Sequence, residues 1–226
     1  MNILKLPATS LLALLVTACG GGGGSAELTP ANPDAVFQTS SAQTPDIGEL
    51  LSFNLTGKAT GYGETESLTG SISLSRKPNQ IINDEELIVV ETVFAITILS
   101  QGTSISTSNT TYSTLDGSVV VVEQDDGVIC YPDSNYREIP DTVEIGDAGD
   151  LGGATCTDGT TLSGSYLVEV SGRNNAWAAV RNFATYSEPG SADLFEDIVY
   201  HITEDGQLKA VDIVAGDGEF TFELSS

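Results

Sequence analysis

The sequence predicts an all-β protein: antiparallel meanders or hairpins assembled into one sandwich or one barrel. Three observations carry this. Apolar and polar residues alternate through LSFNLTGKA and LTGSISLS, the long segment LIVVETVFAITIL is dominated by β-branched residues, and Asp-Gly recurs at 116–117, 126–127, 158–159, 205–206 and 217–218. Alternation with period two is the mark of a strand with one wet face. Asp-Gly suits the positive φ angles of tight hairpin turns.

Taken in order, Leu51, Phe53, Leu55, Gly57 and Ala59 share one face, as do Leu68, Gly70, Ile72 and Leu74. Residues 87–99 are apolar on both faces, which predicts a central strand. The Val, Ile and Thr content, with no capping signal, argues against a buried helix. Ser118 to Glu123, a QDDG turn and VICY predict one hairpin. Leu194 to Thr203, an EDG turn and Leu208 to Val214 predict another, with Leu194, Ile198, Tyr200 and Ile202 on one face.

Two sections look alike. LTGSISLSR at 68–76 matches LSGSYLVEV at 162–170, and residues 110–127 match 197–218, with Tyr112 on Tyr200 and Gly117 on Gly206. This reads as two related units of about four strands each, set against the alternative that all Gly- and Ser-rich hairpins look alike.

The chain divides into three parts. Residues 1–18 have the layout of an export signal: Lys5, a short apolar run from Leu6 to Val16, then Thr17 and Ala18. That run is about 11 residues, against the roughly 20 a membrane-spanning helix needs. Residues 19–47 hold five consecutive glycines and then Pro30, Pro33 and Pro45, and read as a flexible linker reaching about 30 Å. Residues 48–226 read as a single all-β domain.

The tetrad Val16-Thr17-Ala18-Cys19 resembles the lipobox of bacterial lipoproteins. The resemblance implies a diacylglycerol on the Cys19 thiol, cleavage before Cys19 and acylation of the new amino group. Several acyl chains make anchoring stable where one does not. Gly20, where an inner-membrane lipoprotein has Asp, resembles the outer-membrane class, facing the periplasm or the cell surface. Pro140 to Gly164 also resembles a pattern in uncharacterised β-rich envelope lipoproteins of Gram-negative bacteria, which implies an envelope domain and carries no active residues.

With Cys19 given to lipid, Cys130 and Cys156 remain, and in an oxidising compartment two cysteines most simply form one disulfide. No CxxC is present and neither cysteine has the partners of a zinc site.

Removal of Lys5 with the signal leaves 7 basic against 32 acidic residues, a formal charge of −25. Such a surface repels nucleic acid, so no nucleic-acid partner is expected. GxSxG, HExxH and P-loop motifs are absent, so no catalytic residue, metal or cofactor is assigned. The single histidine, His201, reads as a surface or cross-strand residue, with a catalytic base as the alternative. Asp125, Asp126, Asp147 and Asp150 on glycine turns read as solvated carboxylates, with calcium as the alternative. Trp177 reads as a core anchor, or alternatively as the aromatic lining of a barrel cavity. The expected function is a lipid-anchored, non-enzymatic binding or structural domain. The alternatives are a carrier of a lipid or small apolar ligand inside a barrel and, behind it, an envelope hydrolase.

Overall fold

The computed structural model describes residues 34–39, 45–174 and 177–226. Cys19, the segment read as an export signal and most of the segment read as a linker lie outside the described residues. Fourteen strands make up the described regular structure, and twelve of them close into an antiparallel barrel.

The barrel runs as two consecutive meanders. The first holds β2 (Leu50–Gly61), β3 (Glu64–Ile82), β4 (Glu85–Ile98), β5 (Thr103–Ser113), β6 (Val119–Gln124) and β7 (Ile129–Pro132). The second holds β9 (Ala148–Cys156), β10 (Thr161–Val170), β11 (Ala178–Ser187), β12 (Leu194–Ile202), β13 (Leu208–Gly216) and β14 (Phe220–Ser225). Each strand pairs with its neighbour in sequence. Closure comes from two long-range seams, β7 against β9 and β14 against β2. Closure removes every unpaired edge, so β4 is no more central than any other barrel strand. β3 carries Pro78 where its register against β4 shifts between Lys77 and Gln80, a place where the missing N–H costs no ladder bond.

Each unit therefore has six strands rather than about four. The two extra strands per unit were hidden by composition. β7 is four residues long, and β9 (AGDLGGATC) is glycine-rich enough to read as loop. The glycines of β9 answer to close contacts: a Cβ on Gly152 would lie 2.5 Å from the Asn135 carbonyl oxygen.

The two units share one turn, that between their fourth and fifth strands. In the β5–β6 connection the Thr114 N–H donates to Ser118 O (2.9 Å) and the Gly117 N–H to Thr114 O (3.0 Å). In the β12–β13 connection Thr203 N–H donates to Gln207 O (3.2 Å) and Gly206 N–H to Thr203 O (2.9 Å). Each threonine hydroxyl donates to the aspartate two residues on, Asp116 or Asp205. Gly117 and Gly206 take φ of 96° and 79°, the left-handed position of a three-residue hairpin loop. This correspondence keeps Gly117 on Gly206 but moves Tyr112 onto His201, so Tyr112 does not match Tyr200. Thr111 takes that place, and both Thr111 and Tyr200 are buried.

Alternation now has a physical meaning. Leu55, Ala59, Leu68, Ile72, Leu74, Phe94, Ile96, Ile198, Ile213, Phe222 and Leu224 point into the lumen and pack as one cluster. The outer wall of β2 and β3 is Ser52, Asn54, Thr56, Lys58, Ser67, Thr69, Ser71 and Ser73. An apolar inside and a polar outside is the reverse of a membrane-spanning barrel, whose lipid-facing band is apolar.

One end of the barrel is stoppered. β1 (Val36–Gln38) pairs antiparallel with β8 (Thr142–Glu144), and their paired Phe37 and Val143 are each 1% exposed within the lumen cluster. The Gln38 N–H donates to Glu204 O in the β12–β13 turn (3.1 Å), fixing this small sheet at that end. Ala35, Phe37 and Thr39 alternate inward, so the folded part begins well before residue 48, inside the segment read as linker. The span between the cysteines is likewise more ordered than its Pro and Gly content indicates, since it supplies β8 and β9.

Candidate functional site on the barrel wall

The lumen is occupied by the protein's own side chains. Beyond the main cluster, a second one gathers Val122, Ala154, Leu162, Ala184 and Tyr186 around the disulfide between Cys130 and Cys156. The two cysteines are direct cross-strand partners on β7 and β9, so the bond staples the seam that closes the barrel. A cavity of about 20 Å³ borders Asn182, Leu151, Leu162 and Ala184, the room of a single water.

Buried polar groups also face inward. Thr92, Asn109 and Thr111 form a short stripe on β4 and β5, and Asn182 and Glu196 stand on β11 and β12. Tyr186 donates its hydroxyl to the Glu196 carboxylate at 2.6 Å. Burial pushes the Glu196 carboxyl up to about 7, against the lowering effect of that hydrogen bond. Burial and the Glu196 charge also raise the phenols of Tyr186 and Tyr200.

His201 lies on the outer face of β12, as its alternation with Tyr200 and Ile202 requires, yet it is only 4% exposed. The β10–β11 connection covers it. His201 Nδ1 lies 2.7 Å from Ser171 Oγ, and Nε2 lies 2.9 Å from Asp212 Oδ2. Arg173 donates to Asp212 from the other side and to the Ser226 carbonyl at 2.5 Å. Burial pushes the Asp212 carboxyl up, but hydrogen bonds from His201, Arg173 and Ser225 and the Arg173 charge outweigh it and hold it low. Serine, histidine and aspartate in a chain have the composition of a hydrolytic triad. Here the serine has no accessible surface, and its oxygen also accepts the Arg173 N–H at 3.1 Å. The arrangement latches the start of the connection onto the wall. Sequence spacing placed these three residues on different segments and could not bring them together.

The acidic turns are spent on their own backbones. Asp125 accepts the Ser108 N–H, Asp126 that of Val128, Asp147 that of Glu144 and Asp150 that of Gly152, all at 2.8–3.0 Å. Among the described residues no group of three or more His, Cys, Asp and Glu is placed to hold a metal ion. Trp177 sits partly exposed just before β11, outside the lumen clusters, where its carbonyl accepts the Ser171 N–H (2.9 Å). It is neither a core anchor nor a lumen lining.

The outer wall carries a groove of about 300 Å³ lined by Ser165, Tyr166 and Leu167 of β10, Arg181 and Phe183 of β11, and Asp197 of β12. Ser165, Phe183 and Asp197 form one cross-strand row, with Leu167 and Arg181 in an adjacent row on the same face. The groove flanks the bulge between Gly164 and Ser165, where β9 and β10 fall out of register. Phe183 is 45% exposed and stacks on Phe195, centroids 6.3 Å apart. Arg181 Nε lies 3.6 Å from Glu169. Burial raises the Asp197 carboxyl to about 7, with Arg181 lowering it and Glu169 raising it. The shared face of Arg181, Phe183 and Trp177 is legible in NNAWAAVRNFATY. Ser165 and Asp197 join it only through the register of neighbouring strands. No protein-family model, curated protein or solved structure matches the chain.

Proposed function

We propose that this is a lipid-anchored envelope protein, tethered through Cys19 to the outer membrane, whose barrel is a non-enzymatic binding domain working through its outer wall. The lipobox-like VTAC and the glycine tether support the anchor. The observation that carries the binding half is the filled lumen. Side chains occupy it, one end is stoppered by β1 and β8, and the cavity beside Asn182 is water-sized. A carrier of a lipid needs a cavity several hundred Å³ in volume, and among the described residues a space of that scale lies on the outer wall.

The full chain, expressed in a Gram-negative host, should fractionate with the outer membrane and carry acyl mass on the peptide beginning at Cys19. Cys19→Ser should release it as a soluble protein. A wild-type protein that is processed yet soluble and unacylated would remove the anchor. Organic extraction of the purified protein should yield no stoichiometric lipid. Recovery of one would move the reading to the carrier.

A further inference from the structure

We infer that the groove between β10, β11 and β12 is a glycan-binding site that takes a neutral pyranose unit against Phe183. The inference rests on the reading of the barrel wall as the binding surface and not on the lipid anchor. Three observations converge on it. Phe183 offers an aromatic face that is 45% exposed and held in place by Phe195 stacked behind it. The rings are on the outer wall of a barrel whose outward positions on β2 and β3 are mostly Ser, Thr, Asn and Lys, so folding alone does not call for them there. The groove volume, about 300 Å³, is at the lower end of small-ligand sites.

The chemistry of the lining selects among ligands. The C–H bonds on one face of a pyranose are polarised by the adjacent oxygens and meet the negative face of an aromatic ring favourably. The hydroxyls around the rim of the sugar need planar groups able to hold two neighbouring oxygens, which a guanidinium and a carboxylate supply. Arg181 and Asp197 stand beside Phe183 in those roles, with Ser165 on the same cross-strand row. Asp197 is half-buried, and burial raises its carboxyl to about 7, so near neutral pH it can accept from a sugar hydroxyl or donate to one.

Charge argues for a neutral ligand. An anion would face Asp197, Glu169 and a chain with formal charge −24. A cation would have to displace the contact between Arg181 and Glu169 and approach the guanidinium. An uncharged, polyhydroxylated ligand with one apolar face meets neither penalty.

The test is titration of the purified Cys19→Ser protein, followed by amide chemical shifts, with cellohexaose, maltohexaose and N-acetylchitohexaose. Tetramethylammonium chloride and inorganic phosphate serve as charged controls. At least one oligosaccharide should bind saturably and shift the amides of Ser165, Arg181 and Phe183. Phe183→Ala should weaken that binding at least tenfold, and Asp197→Asn should weaken it several-fold. Phe183 is exposed and Asn is close to isosteric with Asp, so both variants should keep the wild-type circular dichroism. Saturation by none of the three sugars overturns the inference, as does binding unchanged in Phe183→Ala. Phe183-dependent binding of tetramethylammonium alone also overturns it and makes the groove a cation site. A failed titration with Cys19 acylated and the lumen lipid-free would remove the glycan while leaving the anchored binding domain standing.

Discussion

Tyr186 and Glu196 face each other inside the barrel across adjacent strands, phenol to carboxylate at 2.6 Å, with both side chains cut off from water. Burial places the Glu196 carboxyl at about 7, above its ordinary value of 4.5. A carboxyl whose folded value is raised stabilises the fold most below its unfolded value, and this contribution is lost as pH rises through the folded value. Stability measured by urea unfolding should therefore fall between about pH 4.5 and 7, by on the order of 3 kcal/mol from Glu196. Asp197 adds in the same direction, and so does repulsion among surface acids. Glu196→Gln isolates the buried contribution, because it keeps an acceptor for Tyr186 and cannot ionise. The variant should show a flatter decline than the wild type. Identical pH profiles for the two proteins would refute the assignment.

The strands with one wet face were legible because alternation is local. Ser52 to Thr60 on one side and Leu51 to Ala59 on the other need no knowledge of the rest of the chain. The choice between sandwich and barrel was not legible, since it depends on two pairings between distant segments, β7 with β9 and β14 with β2. The pairing of Cys130 with Cys156 emerged from counting cysteines, but its place on the closing seam did not. Glu196 was half legible: alternation puts it on the face of Leu194, Ile198, Tyr200 and Ile202, but only the register against Ala184 and Ala215 in a closed barrel shows that this acid is enclosed. The groove was half legible, because one strand aligns Arg181 with Phe183 while Ser165 and Asp197 arrive from neighbours.

The chain Ser171–His201–Asp212 has a mechanical consequence. His201→Ala removes a buried imidazole and deprives the Ser171 hydroxyl and one Asp212 oxygen of their contacts to it, leaving the Ser171 oxygen with the Arg173 N–H. The expected cost is about 2 kcal/mol of stability. Amide exchange at Gly172 and Arg173 should quicken more than elsewhere, because the latch acts on that connection. A fluorophosphonate probe should leave Ser171 unmodified in the native protein, as its hydroxyl has no accessible surface. Covalent labelling of Ser171 would show instead that the connection opens onto a working nucleophile.

Gly57 marks the tightest approach at the β14–β2 seam. A Cβ there would lie 1.8 Å from the Glu223 carbonyl oxygen, which is backbone and has no rotamer to retreat into. Gly57→Ala should cost on the order of 2 kcal/mol or more by forcing the seam apart. Gly63, whose added Cβ meets nothing within 4 Å, is the control for generic glycine effects, although its φ of 78° carries its own strain. Amide exchange separates the two causes: Gly57→Ala should release protection along β14 and β2, and Gly63→Ala only around its own turn. Equal patterns would mean that Gly57 is not held by the seam.

The disulfide acts on the other seam. β7 contributes only Ile129–Pro132, and its pairing with β9 spans three residue pairs, of which Cys130 and Cys156 are one. So short a ladder holds few hydrogen bonds, and the covalent link replaces them. Tying together residues 26 apart in sequence restricts the unfolded chain by roughly 3.5 kcal/mol on the loop-entropy estimate. Cys130→Ser with Cys156→Ser should lower the unfolding midpoint accordingly. The loss of amide protection should start at Tyr131 and Thr155, while β3 and β4, the longest barrel strands, stay protected. Uniform loss across the whole barrel would show that the seam and the rest unfold as a single unit, and that the staple's effect lies wholly in the unfolded chain.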